Sequence, residues 1–591
     1  MKDFVKTLLA VLSGLFLWAL LRFLFFVVLL GSASLGQKSA SIPRSGAILD
    51  LNFSDFVLAE QTQESTLPDF TSLSMEALPA VGLHDAVQAL QAAALDPSVS
   101  FVFLRADALT SGFASLEEFR SALTAFRQSG KAVLAYTDTP GNGSYFLSSA
   151  ADKVLMGSQH GGTYMFIGLS STLTYFKDIL DKLGVNVQLI RHGKYKSAGE
   201  SFIRNSASAE NREQYQAMLD AIWKCYGGSI AASRDITEEQ LNQLLDQLSL
   251  VQPEDYLAAG LVDELVSHET LVQKLCTLAQ VDDAKKLHFV PFYDYVQAKV
   301  LPQISRNQVA VIYADGEIID GKDRSDVAGD RFVSLIDQVR KDKSVKAVVL
   351  RVNSPGGSVS ASVKIRAALD LLQKEKPLVA SYGDYAASGG YWISCGCQKI
   401  YADESSITGS IGVFSMIPEF SKVTKKVGVG VESVSTHKHS DMYSLMRPFD
   451  KAELDYMQAS VEDIYEMFVN LVAQSRGLEP ARVDEIAQGR VWAGSDALTI
   501  GLVDEMGTLE DAITYAAALA DLTSSDAYSV VAYPTPPTFL EELLEQMGMG
   551  TDGESILAGT PFAAMGEAVA ALKAGQPGQV YARLPYALDI R

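Results

Sequence analysis

The segment YAASGGYWIS, from Tyr385 to Ser394, places one serine between two alanines and two glycines. It follows KPLVASYG, an apolar stretch that predicts a buried strand. Ser388 is therefore either a small residue in a tight strand-to-helix corner or a nucleophile held there. A nucleophilic serine needs a base to take its proton and donors to stabilise an oxyanion, so other parts of the sequence must decide.

Candidate oxyanion donors lie in RVNSPGGSV, which puts two glycines between a predicted strand and a predicted helix. Glycine lets the backbone approach a ligand closely, and free N–H groups there can stabilise a developing negative oxygen. We predict the N–H groups of Gly357 and Gly389 as the donors. A turn that caps a helix is the alternative interpretation of the same glycines.

The base is not evident from histidine spacing. None of the seven histidines stands at a recognisable triad spacing from Ser388, although a triad can be assembled in three dimensions. His437 and His439 lie in STHKHSDMYS, which is typical of a surface loop.

An internal repeat supplies another candidate base. DPSVSFVFLR at Asp96–Arg105 returns as DKSVKAVVLR at Asp342–Arg351, KAVLAY returns as KPLVAS, and GLVDE occurs twice. These matches are separated by 241 to 246 positions, which indicates a duplicated domain.

The two copies differ at the residues that could do chemistry. Aligned through the repeat, Lys196 of the first copy corresponds to Ser440, and the position of Ser388 is taken by Asn142 or its neighbour. One copy keeps a lysine and the other keeps the serine, which predicts one composite site. A solvated surface charge is the alternative interpretation of Lys196, and Lys194 is a second candidate for the base.

Both copies alternate short β-branched runs with amphipathic stretches. KAVVLRV, SVSASVKIRAALDLLQKEK and KPLVASYG predict strand, crossover helix and strand, hence an α/β fold with parallel sheets. We predict repeat domains at residues 45–300 and 301–525 and a C-terminal appendage at 526–591. Its last segment, VYARLPYALDIR, carries no motif that we can interpret.

The N-terminus predicts a membrane anchor within residues 1–31. Leu8–Leu30 is almost wholly apolar and long enough to cross a bilayer, and it exceeds an ordinary signal-peptide core. Lys2 and Lys6 favour a cytoplasmic N-terminus with the remainder outside the cytoplasm. An uncleaved signal anchor is the preferred interpretation, and a cleaved signal peptide is the alternative.

Composition excludes some function classes. The chain of 591 residues has a net charge of −22, which argues against a nucleic-acid surface. Its four cysteines are too few for a disulfide framework. Cys395 and Cys397 have no neighbouring ligands to complete a zinc site, so we expect no metal and no cofactor.

Four motifs together resemble one family. They are YKSA at Tyr195–Ala198, SPGG at Ser354–Gly357, AASGGYW at Ala386–Trp392 and TGSIGV at Thr408–Val413. With the duplication and the apolar N-terminus, the chain resembles the signal peptide peptidase A family in its long, duplicated form. These are membrane-bound serine proteases related to the Clp protease and crotonase fold.

The resemblance implies a nucleophile at Ser388, a general base at Lys196 and a hydroxyl at Ser410 that orients the lysine. It also implies a homo-oligomer, commonly a tetramer, and peptide substrates such as cleaved signal peptides and other apolar segments. The expected location is the cytoplasmic (inner) membrane, with catalytic domains on the periplasmic side. Whether the lysine and serine of one site come from one chain or from neighbouring chains stays open.

Two other function classes are possible. Crotonase-type enzymes use paired backbone N–H groups to stabilise thioester enolates of coenzyme A, but an extracytoplasmic domain would be separated from coenzyme A. A membrane scaffold with a degenerate site is the second alternative, because the first copy has already lost the serine. Intact Ser388, Lys196 and both glycines favour a protease.

Overall fold

The computed structural model describes residues 42–63, 78–301, 303, 305–324, 326–524, 526–535 and 581–584. The predicted anchor, Leu8–Leu30, lies outside these residues. Among the described parts of the chain, no helix combines the length and apolarity needed to cross a bilayer.

The first half of the chain forms strands and helices in alternation. Its strands are β1 (Ala47–Asn52), β2 (Val57–Ala59), β3 (Ala80–Gly82), β4 (Val99–Arg105), β5 (Ala132–Thr137), β6 (Lys153–Gly157), β7 (Asn186–His192), β8 (Glu264–Val266) and β9 (His288–Pro291). Its helices are α1 (Leu83–Leu95), α2 (Phe113–Gln128), α3 (Asn142–Ser148), α4 (Lys177–Leu183), α5 (Glu200–Ile203), α6 (Ala209–Arg234), α7 (Glu238–Asp246), α8 (Pro253–Ala258), α9 (His268–Leu278) and α10 (Phe292–Lys299), with a 3₁₀ turn at Ala284–Lys286.

The second half repeats this alternation. Its strands are β10 (Gln308–Asp315), β11 (Ile318–Ile319), β12 (Val327–Ala328), β13 (Val345–Ser354), β14 (Gly356–Ser358), β15 (Leu378–Ala387), β16 (Ile400–Ala402), β17 (Ile407–Gly409), β18 (Val413–Glu419), β19 (Val491–Ala493), β20 (Glu505–Met506), β21 (Ser529–Tyr533) and β22 (Tyr581–Arg583). Its helices are α11 (Gly329–Lys341), α12 (Val359–Gln373), α13 (Gly389–Ser394), α14 (Ser421–Lys426), α15 (Lys451–Arg476), α16 (Pro480–Ile486), α17 (Gly494–Thr499) and α18 (Leu509–Leu519).

Each half contains its own largely parallel sheet. The first has the order β8-β6-β5-β4-β1-β9, and the second has the order β19-β17-β15-β13-β10-β21, with β16 and β20 beside β15. All neighbours are parallel except β17 and β19. Strands such as β13 are apolar and buried along most of their length, as expected for a parallel sheet covered by helices. The predicted α/β fold with parallel sheets is confirmed.

The duplication is also visible in equivalent contacts. The hydroxyl of Tyr145, in α3, donates to the carbonyl of Leu261, and that of Tyr391, in α13, donates to the carbonyl of Leu502. Each tyrosine is fully buried and ties the helix after a central strand to the GLVDE turn of its own half. The two halves are therefore tandem repeats of one α/β unit.

A third sheet joins the two halves. Its order is β12-β11-β14-β22-β18-β7. Strand β7, from the first half, pairs antiparallel with β18, from the second, along seven residue pairs. Because Lys196 follows the end of β7 by only four residues, this pairing carries it into the second half.

A buried ion cluster lies between the same two halves. Arg351, on β13, is only 1% exposed, and it donates to Glu60 at 2.8 Å and to Glu118 at 2.7 Å. Both carboxylates come from the first half and are buried. Leaving any one of these charges unpaired in the interior would be costly, so the cluster fixes how the halves face each other.

Candidate active site

Ser388 occupies the corner between β15 and α13. Its backbone has φ 56° and ψ −111°, a conformation that non-glycine residues rarely adopt and that stores strain. The corner is held by backbone hydrogen bonds, because Ser388 N donates to Gly409 O and Trp392 N donates to Ser388 O, both at 2.8 Å. The side chain is thereby fixed at the end of a rigid central strand.

The side chain of Lys196 meets Ser388 within one chain. Lys196 Nζ lies 2.7 Å from Ser388 Oγ, and both residues are 0% exposed. Burial lowers the pKa of Lys196 well below its usual 10.5. A buried amine of this kind is neutral over a wider pH range and can accept the proton of the serine hydroxyl.

The backbone around Lys196 packs directly against the second half. A Cβ on Gly489 would lie 2.5 Å from Lys196 Cβ, and Gly489 has φ +79°, so both the space and the backbone conformation require glycine. Tyr195 N donates to Gln488 O at 2.9 Å. The role of Gly489 could not be predicted from the sequence, since a single glycine outside a motif gives no signal.

Ser410 contributes two acceptors to the lysine. Lys196 Nζ lies 2.9 Å from Ser410 O and 3.1 Å from Ser410 Oγ. Ser410 is fully buried and has a φ of 51°, and its N–H donates to Arg490 O at 2.7 Å. The lysine amine is therefore positioned by a hydroxyl and a carbonyl of one residue.

Gly357 and Gly389 border the same small space beside Ser388. A Cβ on Gly389 would lie 3.1 Å from Gly357 N. A Cβ on Gly357 would lie 1.9 Å from Ile318 O, so no larger residue fits there without moving the backbone. The geometry brings both predicted oxyanion donors to one side of the serine corner.

The alternative bases lie elsewhere. Lys194 is exposed, with Nζ 5.0 Å from the centre of the Tyr195 ring. Within the described chain, no histidine is hydrogen-bonded to Ser388; His84 and His192, for example, contact Glu510 and Glu462.

In the first half, the residue at the equivalent corner has a structural role. Asn142, the counterpart of Ser388, donates from Nδ2 to Gly168 O at 2.8 Å and accepts from Gly168 N at 3.0 Å. Its side chain therefore holds a loop in place. Ser440, the counterpart of Lys196, lies in the loop after α14.

One cluster has metal-ligand residue types. His439, Asp450 and Glu453 each place a ligand atom within 4.8 Å of the others. Arg447 already donates to both oxygens of Glu453, at 2.7 Å each, and supplies the positive charge that a cation would bring. Cys395 and Cys397 are buried free thiols.

The chain is similar to known proteins of one peptidase family. The family model of peptidase family S49 matches residues 125–282 and 370–523, which is one match in each half. Protease 4 of Haemophilus influenzae is 36% identical over 515 residues, covering 84% of this chain and 83% of that protein. Protease 4 of Salmonella typhi is 33% identical over 579 residues, covering 92% and 91%. The chloroplastic serine protease SPPA of Arabidopsis thaliana is 30% identical over 471 residues, covering 78% and 69%.

A family match in each half, at the spacing of the internal repeat, places this duplicated chain among the serine proteases. More particularly, the chain belongs to peptidase family S49. The resemblance to signal peptide peptidase A is confirmed, and a protease is favoured over the coenzyme A enzyme and the scaffold.

Proposed function

We propose that this chain is a membrane-anchored endopeptidase in which Ser388 is the nucleophile and Lys196 is the general base. The observation that carries this proposal is the 2.7 Å contact between Lys196 Nζ and Ser388 Oγ in a site closed to solvent. Burial, which lowers the pKa of Lys196, supplies the neutral amine that such a base requires.

The reaction follows from this geometry. Lys196 takes the proton of the Ser388 hydroxyl as Oγ attacks the peptide carbonyl carbon. The resulting oxyanion is stabilised by the N–H groups of Gly357 and Gly389. Lys196 then gives its proton to the leaving amine, and water hydrolyses the acyl-enzyme after losing a proton to the same lysine. Ser410 keeps Nζ aligned through both of its oxygens.

The substrates that we propose are cleaved signal peptides and other apolar peptides near the membrane. Support comes from the motifs shared with signal peptide peptidase A and from the apolar segment Leu8–Leu30. An anchor would raise the local concentration of membrane-derived peptides without any new contact. The corresponding location is the cytoplasmic membrane, with the catalytic domains on the periplasmic side.

We further propose a homo-oligomer of four chains, on the strength of the same resemblance. Each chain has its lysine and its serine in one site, so assembly is not needed to complete the catalytic pair. An assembly would instead restrict access to unfolded peptides. The mass of the detergent-solubilised particle tests the number of chains.

The decisive experiment labels the serine. A fluorophosphonate or β-lactone probe should modify the parent but neither Ser388→Ala nor Lys196→Ala. Lys194→Ala is the matched control, because this exposed lysine is only two residues away, and its labelling should equal that of the parent. Undiminished labelling of Lys196→Ala would assign the base to another residue.

A further inference from the structure

Lys196 lies in a segment without regular secondary structure, residues 193–199, between β7 and α5. Neither a helix nor a strand fixes the backbone of this segment, yet the amine of Lys196 must stay within hydrogen-bonding distance of Ser388 Oγ. A misplacement of about 1 Å can lower the rate of a catalysed reaction about 100-fold. The groups that hold the backbone beside Lys196 therefore decide how well it can act as a base.

The side chain of Gln214, on α6, bonds to the residues on both sides of Lys196. Its Nε2 lies 3.0 Å from Tyr195 O and 3.0 Å from Ser197 Oγ. The same nitrogen lies 3.0 Å from Asn211 Oδ1, one turn earlier on the helix, so its two hydrogens serve three acceptors. Gln214 is 0% exposed, and water therefore does not compete for these bonds. One buried amide thus holds the segment that carries the lysine.

The other end of the Gln214 amide reaches the second half of the chain. Val491 N donates to Gln214 Oε1 at 3.4 Å. Val491 begins β19, where it stands opposite Gly409 of β17. The carbonyl of Gly409 accepts the N–H of Ser388 at 2.8 Å, and Gly409 directly precedes Ser410. Gln214 therefore connects the lysine segment to the strand that fixes both partners of the lysine amine.

The contacts define which end of the Gln214 amide is the donor. Tyr195 O is a carbonyl oxygen and can only accept a hydrogen bond, whereas Val491 N can only donate one. Nε2 therefore faces Tyr195 and Oε1 faces Val491. A carboxylate of the same shape would satisfy Val491 N but would place a second acceptor against Tyr195 O. The site thus distinguishes glutamine from ionised glutamate.

We propose that Gln214 is a positioning residue for the general base, which keeps Lys196 Nζ in line with Ser388 Oγ. It acts on the reaction through the backbone on either side of Lys196. Arg191 supports the same segment at the next carbonyl, since its Nη1 donates to Lys196 O at 2.7 Å. This inference rests on the proposed function, because it takes Lys196 as the base.

The variant Gln214→Met tests this role, because methionine is similarly long and unbranched but cannot donate the hydrogen bonds. The test uses a neutral reporter peptide at the high-pH plateau of the parent, where Lys196 is neutral. We expect kcat to fall about 100-fold with little change in KM. Gln216→Met is the matched control and should keep the parental kcat, since Gln216 is exposed on the same helix and bonds to Asp220. A folded Gln214→Met enzyme with the parental kcat overturns the positioning role.

The variant Gln214→Glu keeps the shape of the side chain and serves as the test if the methionine variant does not fold. Its protonated carboxyl group can still donate to Tyr195 O. Ionisation removes this donor and adds a negative charge that favours the protonated form of Lys196. At the pH of the parental plateau, kcat/KM should therefore be about tenfold lower than in the parent. A plateau of parental height contradicts the proposal, because a purely structural residue would change the melting temperature and not the pH profile.

Labelling of Ser388 by the fluorophosphonate probe separates this inference from the proposed function. A parent that is not labelled, or a Lys196→Ala variant that is labelled like the parent, defeats the proposed function itself. A labelled parent together with parental activity in either folded Gln214 variant overturns only the positioning role and leaves the protease intact.

Discussion

Lys196 Nζ and Ser388 Oγ lie 2.7 Å apart although 192 positions separate the two residues in the chain. The lysine belongs to the first repeat and the serine to the second, and neither repeat contains both. One duplicated chain therefore holds one such pair, and the pairing of β7 with β18 is what brings the two residues together.

The activity should depend on pH through this lysine. Burial lowers the pKa of Lys196 below 10.5, and only the neutral amine can take the serine proton. We expect kcat/KM for a neutral reporter peptide to rise with pH through that lowered value and to level off before pH 10.5. A profile that is flat from mild acid upward would contradict a lysine base.

The burial of Lys196 should also lower the free energy of unfolding of the protein. Between the lowered pKa of Lys196 in the folded chain and its usual pKa of 10.5, the unfolded chain binds one proton more than the folded chain. The free energy of unfolding therefore rises with pH in this range. We expect Lys196→Met to be inactive and yet more stable than the parent at pH 7, with a gap that narrows as the pH approaches 10.5. Thermal unfolding at several pH values in this range measures the difference in stability between the variant and the parent. A difference that grows with pH would contradict the predicted direction.

Removal of the Ser410 hydroxyl should affect catalysis more than binding. Ser410→Ala deletes the 3.1 Å contact with Lys196 Nζ and leaves the backbone carbonyl at 2.9 Å. We expect kcat to fall by up to about 100-fold, because the amine is less well aligned, with little change in KM. An unchanged kcat would show that the carbonyl alone positions the lysine.

A methyl group at position 389 should block the oxyanion space. The Cβ of Gly389→Ala would lie 3.1 Å from Gly357 N and 2.9 Å from the hydroxyl oxygen of Ser362. We expect kcat to fall about 100-fold or more with a melting temperature close to that of the parent. Gly143→Ala is the control from the other repeat, where the nearest atom is the Leu116 side chain at 3.1 Å, and it should keep full activity.

The buried arginine between the halves should be a major source of stability. Arg351→Met leaves Glu60 and Glu118 buried without their partner, and we expect a loss of about 3–5 kcal/mol in the free energy of unfolding. The loss should shrink as the pH falls, because burial raises the pKa of Glu118 and protonation relieves this carboxylate once Arg351 is gone. Arg340→Met, which removes ion pairs at the surface, should lower the free energy of unfolding far less. Equal losses in the free energy of unfolding for the two variants would show that burial of the Arg351 cluster does not matter.

Much of the fold follows from local patterns. The β-branched runs that predict buried strands form β13 and β15, and the amphipathic stretch between them forms α12, because periodicity depends on near neighbours in the chain. The near-constant spacing of the repeat likewise predicts two similar sheets.

Part of the site follows from comparing the repeats. The loss of the serine in one copy and of the lysine in the other singles out Ser388 and Lys196 before any coordinates. The positive φ values of Ser388 and Ser410 have no such signal, since serine does not usually adopt them and only the surrounding hydrogen bonds impose them. The role of Gly489 is equally invisible, because it depends on contact with a residue of the other repeat.

The sequence by itself determined the class of fold, the duplication and the residue types able to attack a peptide bond, since these are carried by composition and short-range order. Only the tertiary structure decided that the lysine and the serine share a dry site in one chain and that the strand at Tyr581–Arg583 enters the sheet beside them. Both facts depend on contacts between segments far apart in the chain. Packing sets both the burial that lowers the pKa of the amine and the register in which the strands pair.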